Sequence, residues 1–311
     1  MAPTKNQMRI PSLDGLRALS ISLVLFWHFN TVPIPGLWRI DYGNFGVRVF
    51  FVISGFLITT LLLNEESSLR VFYIRRFARI MPAYWVYLAA IALLIPAVKA
   101  QYKDLLPSFF YLTDYVPVGF AVGATWSLAV EEQFYLLWPS AMRLAHTKAV
   151  WACVAALLLA PLFRVVSDLG GWPTNPRYAF ESVCDALASG CLLALLRERI
   201  KPVPYAAALP FIVLGVLAFT PKLVTDAIGI TALNLAIVLA MDALIRKPPW
   251  VLNNAAIIWV GTLSYSLYLW QQPFAGTSLP AWLKLAGALA CAHASYYLVE
   301  RPVRRRINAL I

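Results

Sequence analysis

The sequence predicts an all-α fold: a polytopic transmembrane helical bundle of about ten helices, both termini cytoplasmic, forming a single domain over residues 1–311. Three observations predict it. The chain is 60% hydrophobic and only 13% charged, far from the roughly 45–50% and 25% of soluble domains. Apolar runs of about 18–22 residues recur from end to end, each long enough to cross a hydrocarbon core about 30 Å thick at 1.5 Å per residue. Segments rich and poor in Lys and Arg alternate along the chain, the pattern that orients membrane proteins.

In order, the runs cover residues 13–31, 46–63, 80–97, 125–142, 149–167, 180–196, 205–220, 224–245, 254–274 and 279–299. Two of them contain acids, Glu131 and Glu132 in the fourth and Glu181 and Asp185 in the sixth. Both are kept, because deleting either scrambles the charge alternation. Residues 102–116 are too broken by Asp104, Pro107 and Asp114 to cross, and read as an outer loop or a re-entrant segment. With the N-terminus inside, the inner segments hold Lys5 and Arg9; Arg70, Arg75, Arg76 and Arg79; Arg143 and Lys148; Arg197, Arg199 and Lys201; Arg246 and Lys247; and Arg301, Arg304, Arg305 and Arg306. The outer segments hold Arg39, Lys99, Lys103, Arg177 and Lys222.

The net charge of +11 is therefore mostly a topology signal, set against the anionic headgroups of a lipid bilayer. It forms no extended stripe and accompanies no recognition module, so nucleic acid is not an expected partner. The first run follows Lys5 and Arg9 as a secretory leader would. No small-x-small cleavage site follows His28, however, and Arg17 lies inside the run, so it reads as an uncleaved signal anchor. Cys153, Cys184, Cys191 and Cys291 lie in apolar runs without a C-x-x-C pair and read as packing residues. The three histidines sit on separate segments, so no metal site is expected. Walker, dinucleotide and G-x-S-x-G motifs are missing from the sequence.

Ionisable groups inside spans cost roughly 2.5–3.5 kcal/mol each near a helix centre and are functional candidates for that reason. Arg17 and His28, in LDGLRALSISLVLFWHF, are eleven residues apart. At about 100° per residue they share a face to within roughly 20° and stand about 16 Å apart along the axis. Asp14 reads as an acid that helps start the helix. Snorkelling of Arg17 and an interfacial seat for His28 are the structural alternatives. In FYIRRFARIMPAYW, Arg75, Arg76 and Arg79 precede Pro82; Arg76 and Arg79, three apart, suit a phosphate grip or a plain positive-inside loop.

Glu131 and Glu132 diverge by about 100°, so only one of them is expected to face the same cavity as His28. Ser54 and Gly55 read mainly as close-packing residues. Glu181 and Asp185 share a face and suit either a cation, a donor-rich substrate or a helix start. His293 and Glu300 also share a face, as packing or lining positions, and His146 reads as solvated.

Six segments in order, LDGLRALSISLVLFWHF, GVRVFFVISGFLIT, FYIRRFARIMPAYW, TWSLAVEEQFYLLWP, LSYSLYLWQQPF and YYLVERPVRRR, make the chain resemble the integral-membrane acyltransferase family 3 from about residue 10 to 306. The resemblance implies a roughly ten-helix enzyme of the bacterial inner membrane that moves an acyl group, commonly acetyl, from cytoplasmic acyl-CoA to a hydroxyl of a carbohydrate or glycolipid acceptor. Modification of surface polysaccharide or lipopolysaccharide is the expected setting. In the family the counterparts of Arg17, His28, Arg76 and Arg79 are associated with activity, and Glu131 is the acid carried over. Arg48 stands where many members have an acid, and Gln271 where many have His. A C-terminal SGNH-type domain found in some members is not expected here, so the protein is expected to work alone or to serve a separate periplasmic partner.

Combining the two readings, Arg75, Arg76, Arg79 and Arg17 are the expected contacts for the acyl-CoA nucleotide, and His28 is the expected general base, oriented by Glu131. An acyl-His28 intermediate is the covalent alternative. A membrane transporter of an acyl or glycan compound is the competing class. It is disfavoured because no internal repeat is evident and the polar residues gather near helix ends. A structural scaffold would not need Arg17 and His28 on one face.

Overall fold

The computed structural model describes residues 10–29, 40–64, 68–98, 100–144, 148–170 and 177–311. Lys5, Arg9, Arg39, Lys99 and His146, with the last two residues of the first expected span, lie outside the described residues. Among the described residues the chain is helical and contains no β-strand. The helices are α1 (Pro11–Phe29), α2 (Tyr42–Asn64), α3 (Leu69–Leu94), α4 (Tyr102–Phe109), α5 (Phe120–Gly123), α6 (Thr125–Leu144), α7 (Ala149–Gly170), α8 (Phe180–Leu196), α9 (Leu209–Leu217), α10 (Lys222–Val224), α11 (Ile230–Arg246), α12 (Ala255–Ala275), α13 (Ala281–Ser295) and α14 (Arg301–Leu310). Two π-helical turns, Thr225–Gly229 and Tyr296–Glu300, join α10 to α11 and α13 to α14.

Each expected apolar run is helical over most of its length. Among the described residues four helical stretches, Tyr42–Asn64, Leu69–Leu94, Ala149–Gly170 and Lys222–Arg246, are long and apolar enough to cross a membrane. Residues 102–116 instead form the short α4 and an irregular segment. α4 opens on a reciprocal cap in which the Gln101 N–H donates to Asp104, satisfying donors that a helix start leaves open. On α7, Leu158 and Leu169 are 70% and 74% exposed. An apolar face of that kind suits hydrocarbon, where it costs nothing to leave uncovered.

Small residues set the closest helix approaches. A Cβ at Gly55 of α2 would meet the Leu187 backbone of α8, and one at Gly190 of α8 would meet Val52 of α2. The packing reading of Gly55 therefore holds, as expected where van der Waals contact drives helix association in lipid. α1 lies between α2 and α12, with Gly46 against Ser20 and Gly261 against the Asp14 backbone. Gly43 packs on Trp27 near the far end of α1, so α1 and α2 run antiparallel. Within α1, the Ser20 and Ser22 hydroxyls donate to the Leu16 and Ala18 carbonyls, which removes the cost of a hydroxyl facing lipid or core.

The acids of α8 part company. Glu181 accepts from the Tyr115 hydroxyl at 2.8 Å, whereas Asp185 accepts from Arg164 at 3.0 Å and from Thr231 at 2.6 Å. Sharing a helix face does not make them one site, because each meets a different neighbouring element. Arg48 is likewise buried, donating to Asn44 and Asn234. The four cysteines are free thiols, and Cys153 and Cys191 are buried. Among the described residues no group of three or more His, Cys, Asp or Glu side chains is placed to hold a metal ion.

Candidate active site

A pocket opens between α1, α2, α3, α6 and α12. Its polar lining comprises Arg17, Ser54, Arg76, Arg79, Ser127, Glu131, Glu132, Tyr135, Ser264, Tyr265 and Tyr268. It encloses about 750 Å³ of empty space, counting the part open to solvent.

Helical phase explains who is present. On α3, Arg76, Arg79 and Ile80 line the pocket. At about 100° per residue the centre of that face lies about 90° from Arg75, which is not among the lining residues. On α6, Ser127, Leu128, Glu131, Glu132 and Tyr135 recur at i, i+1, i+4, i+5 and i+8. The two glutamates diverge by the expected 100°, yet both line this pocket, because they flank it. Glu131 turns toward α2 and accepts from the Ser54 hydroxyl at 2.6 Å. Glu132 lies in the field of Tyr84, Tyr111 and Tyr265 on the other flank.

Ser54 thus departs from the packing role of its neighbour Gly55. It also accepts from the Tyr135 hydroxyl at 3.3 Å, giving a Tyr135–Ser54–Glu131 chain. Tyr135 does a second job, since the Arg76 guanidinium lies 4.8 Å from its ring centroid and 5.9 Å from that of Phe72, cation–π contacts that hold a charge without neutralising it. Among the described residues neither Arg76 nor Arg79 forms a salt bridge. Arg17 does, to Asp14 at 3.1 Å one turn earlier, so Asp14 both sits in the first helical turn and steadies Arg17. Arg17 lies in the electrostatic field of both Arg79 and Arg76. Three guanidinium groups gathered at one mouth repel one another, and an anion relieves that repulsion.

Glu300 adds to this mouth from the C-terminal side. It is buried in the second π-helical turn, accepts from the Ser266 hydroxyl at 3.3 Å, and lies in the field of Arg79, Arg304 and Arg17. His293 does not accompany it; it stacks on Tyr297 at 4.4 Å and near Trp259. The π turn breaks the regular phase that would have kept the two on one face.

His28 is not among the pocket-lining residues. The outermost α2 residue of the pocket is Val47, four residues inward of Gly43, which packs on Trp27. The pocket therefore ends about 6 Å, one helical turn, short of the His28 level. His28 is half-buried, its Nδ1 has no hydrogen-bond partner, and it lies beside Gln271 of α12. The polar face of α12 bridges the gap: Ser264, Tyr265, Tyr268, Gln271 and Gln272 stand at i, i+1, i+4, i+7 and i+8. That spacing in LSYSLYLWQQPF was the available signal for the α12 contribution. Tyr268 also meets Ser127 across the pocket, at 2.7 Å between hydroxyl oxygens.

Comparison with known proteins agrees with this architecture. A family profile described as an acyltransferase domain matches residues 10–288. The peptidoglycan O-acetyltransferase OatA of Listeria monocytogenes is 28% identical, over 95% of this chain and 56% of that protein. The putative peptidoglycan O-acetyltransferase YrhL of Bacillus subtilis is 28% identical over 97% of this chain and 56% of its own length. A putative O-acetyltransferase of Staphylococcus aureus strain COL is 26% identical over 98% and 59%. The chain thus spans little more than half the length of these curated relatives. No solved structure matches it. A profile match over most of the sequence, on a helical framework that gathers arginines and carboxylates in one pocket, establishes that the chain belongs to this acyltransferase family, whose members are enzymes of acyl-group transfer.

Proposed function

We propose that the chain is a single-domain membrane O-acyltransferase with about ten crossings and cytoplasmic termini, taking an acyl group, acetyl first, from cytoplasmic acyl-CoA to a glycan hydroxyl at a bacterial cell membrane. The observation that carries the reading is the convergence of Arg17, Arg76 and Arg79 on one pocket shared with Glu131 and Glu132. Guanidinium groups such as those of Arg76 and Arg79, which form no salt bridge among the described residues, are suited to the phosphates of a nucleotide donor, which they bind by charge-assisted, often bidentate hydrogen bonds. Arg75, outside the pocket, adds positive charge at the same helix turn and steers the anion rather than gripping it. The names of the relatives make a peptidoglycan sugar the first acceptor to test.

In this reading the acyl-CoA thioester supplies the activated acyl carbon. His28 removes the proton of the acceptor hydroxyl, the new C–O bond forms as the C–S bond breaks, and the proton passes on to the departing thiolate. Glu131, through Ser54 and Tyr135, holds the ring over which Arg76 lies. Its hydrogen bonding supports a role in setting the donor end of the site, in place of the His28-orienting role expected for it.

The test is transfer from radiolabelled acetyl-CoA to soluble peptidoglycan fragments by the protein in proteoliposomes. Replacing both Arg76 and Arg79 with Ala is expected to raise KM for acetyl-CoA by more than about 10-fold, since each hydrogen bond to a charged group contributes about 1.5–3 kcal/mol. Unchanged KM rejects the donor assignment. No transfer by the wild-type protein to any of a panel of glycans, with intact acetyl-CoA recovered, rejects the reaction.

A further inference from the structure

The outer part of α12 carries a short chain of amides whose direction is dictated from one end. The Phe120 carbonyl can only accept, and Gln272 Nε2 donates to it at 3.0 Å. Gln272 Oε1 is then an acceptor, and Gln271 Nε2 donates to it at 3.1 Å. Neither amide can turn round without losing a bond, so the otherwise ambiguous orientation of Gln271 is settled by its partners. Gln271 Oε1 is left over. It is buried without a hydrogen-bond partner, in a side chain with 0% exposure.

The neighbouring ring has the complementary defect. His28 Nδ1 is buried and has no partner either; the imidazole lies close to the Val24 carbonyl of its own helix and to the Gln271 side chain, with Asp41 the acid in its field. An orphaned acceptor beside an orphaned ring nitrogen is costly on both sides, and one hydrogen bond between them removes both costs. The acids of the pocket do not compete for this position: Glu131 bonds to Ser54 on α2, and Glu132 faces the tyrosines of α3 and α12.

We propose that Gln271 is a positioning residue for His28: its Oε1 accepts Nδ1–H, holds the imidazole in that tautomer, and leaves the Nε2 lone pair free to take a proton. Which ring nitrogen is protonated is set by the hydrogen bond that the other side of the ring makes. A neutral amide does this without adding a charge to an apolar neighbourhood, where an unpaired carboxylate is expensive. Gln272 and the Phe120 carbonyl act behind Gln271 as the stay that keeps its amide from rotating.

The inference rests on the general-base reading of His28, and its test separates the two. Gln271→Met keeps the length and removes the acceptor; Gln271→Glu keeps an acceptor oxygen. Each is compared with wild type and His28→Ala as purified protein in lipid, after size-exclusion chromatography confirms a monodisperse fold. Two readouts are taken: kcat and KM with acetyl-CoA, and ¹⁵N NMR of histidine-labelled protein, with the His28 signals assigned by their loss in His28→Ala.

Wild type is expected to show an unprotonated Nε2 at His28. Gln271→Met shifts the ring toward the Nε2–H form that free imidazole side chains favour and lowers kcat about 10²-fold, the lower end of what a general base contributes, with KM for acetyl-CoA unchanged. Gln271→Glu retains the wild-type tautomer and more activity than Gln271→Met. An inactive His28→Ala beside a Gln271→Met protein with wild-type kcat and an unaltered tautomer overturns the Gln271 inference alone. A fully active His28→Ala overturns the general-base reading itself.

Discussion

Two arginine environments, Arg164 buried and Arg76 half-buried, use the same side chain for opposite ends. Arg164 of α7 uses four of its five N–H donors within the chain: on the Asp226 carbonyl at 2.9 Å, the Ser182 carbonyl at 2.6 Å, the Asp185 carboxylate at 3.0 Å and the Thr231 hydroxyl at 2.7 Å. Arg76 of α3 lies between two aromatic rings and, among the described residues, forms no salt bridge. The difference separates structure from function. A buried charge paired with a carboxylate and bonded to three further acceptors stitches helices together, and one without a salt bridge beside a cavity is suited to meet something that is not part of the chain.

The comparison can be broken most severely at Arg164. Arg164→Ala leaves the buried Asp185 without its cationic partner, and removing one partner of a buried pair costs about 3–5 kcal/mol. The expected outcome is little folded protein in detergent, read by size-exclusion chromatography and thermal melting. The double replacement Arg164→Met with Asp185→Leu sharpens the point: an apolar pair of similar volume is often tolerated, so folded protein should return. Failure of the double variant to outperform the single one would show that the Thr231 and carbonyl bonds matter more than the ion pair.

At the pocket the order of effects reverses between stability and activity. His28→Ala is expected to lower transfer by about 10²–10⁴-fold, the usual contribution of a general base, with a far smaller fall in melting temperature than Arg164→Ala. Arg76→Met should keep the fold, since it gives up no salt bridge among the described residues, and should raise KM for acetyl-CoA by about 10-fold or more. An Arg76→Met protein that unfolds would place Arg76 with Arg164 as a structural charge. The smallest of these effects is expected at Ser54→Ala, which deprives Glu131 of one donor; a loss of about 1 kcal/mol, or fivefold in activity, is the scale of a single hydrogen bond.

Much of this was legible before any coordinates. Ten apolar runs coincide with helix, because hydropathy and length are local properties of the chain. Arg17, Arg76, Arg79 and Glu131 were all singled out and do meet in one pocket. Only one of Glu131 and Glu132 is expected to face the cavity of His28, and the family resemblance singles out Glu131; the pocket of Arg17, Arg76 and Arg79 spans enough of α6 to be lined by both acids. Ser54 and Gly55 both read mainly as packing residues because both are small. Which of two adjacent small residues faces a helix and which a cavity depends on where α6 and α8 lie, and no residue in α2 specifies that.

His28 and Glu300 mark the boundary most clearly. Spacing alone put His28 on the Arg17 face, and the parallel packing of α12 beside α1 then decided its company, Gln271 in place of Glu131. Periodicity put Glu300 with His293, and a five-residue π turn moved it toward Arg17 and Arg79 instead. Composition, hydropathy and helical phase determined a helical membrane protein and the candidate charges on it, because each follows from a few neighbouring residues. Tertiary structure decided which charges are satisfied and which are left to bind, because that depends on partners far away in the chain, as Gln271 is from His28, brought close only by helix packing.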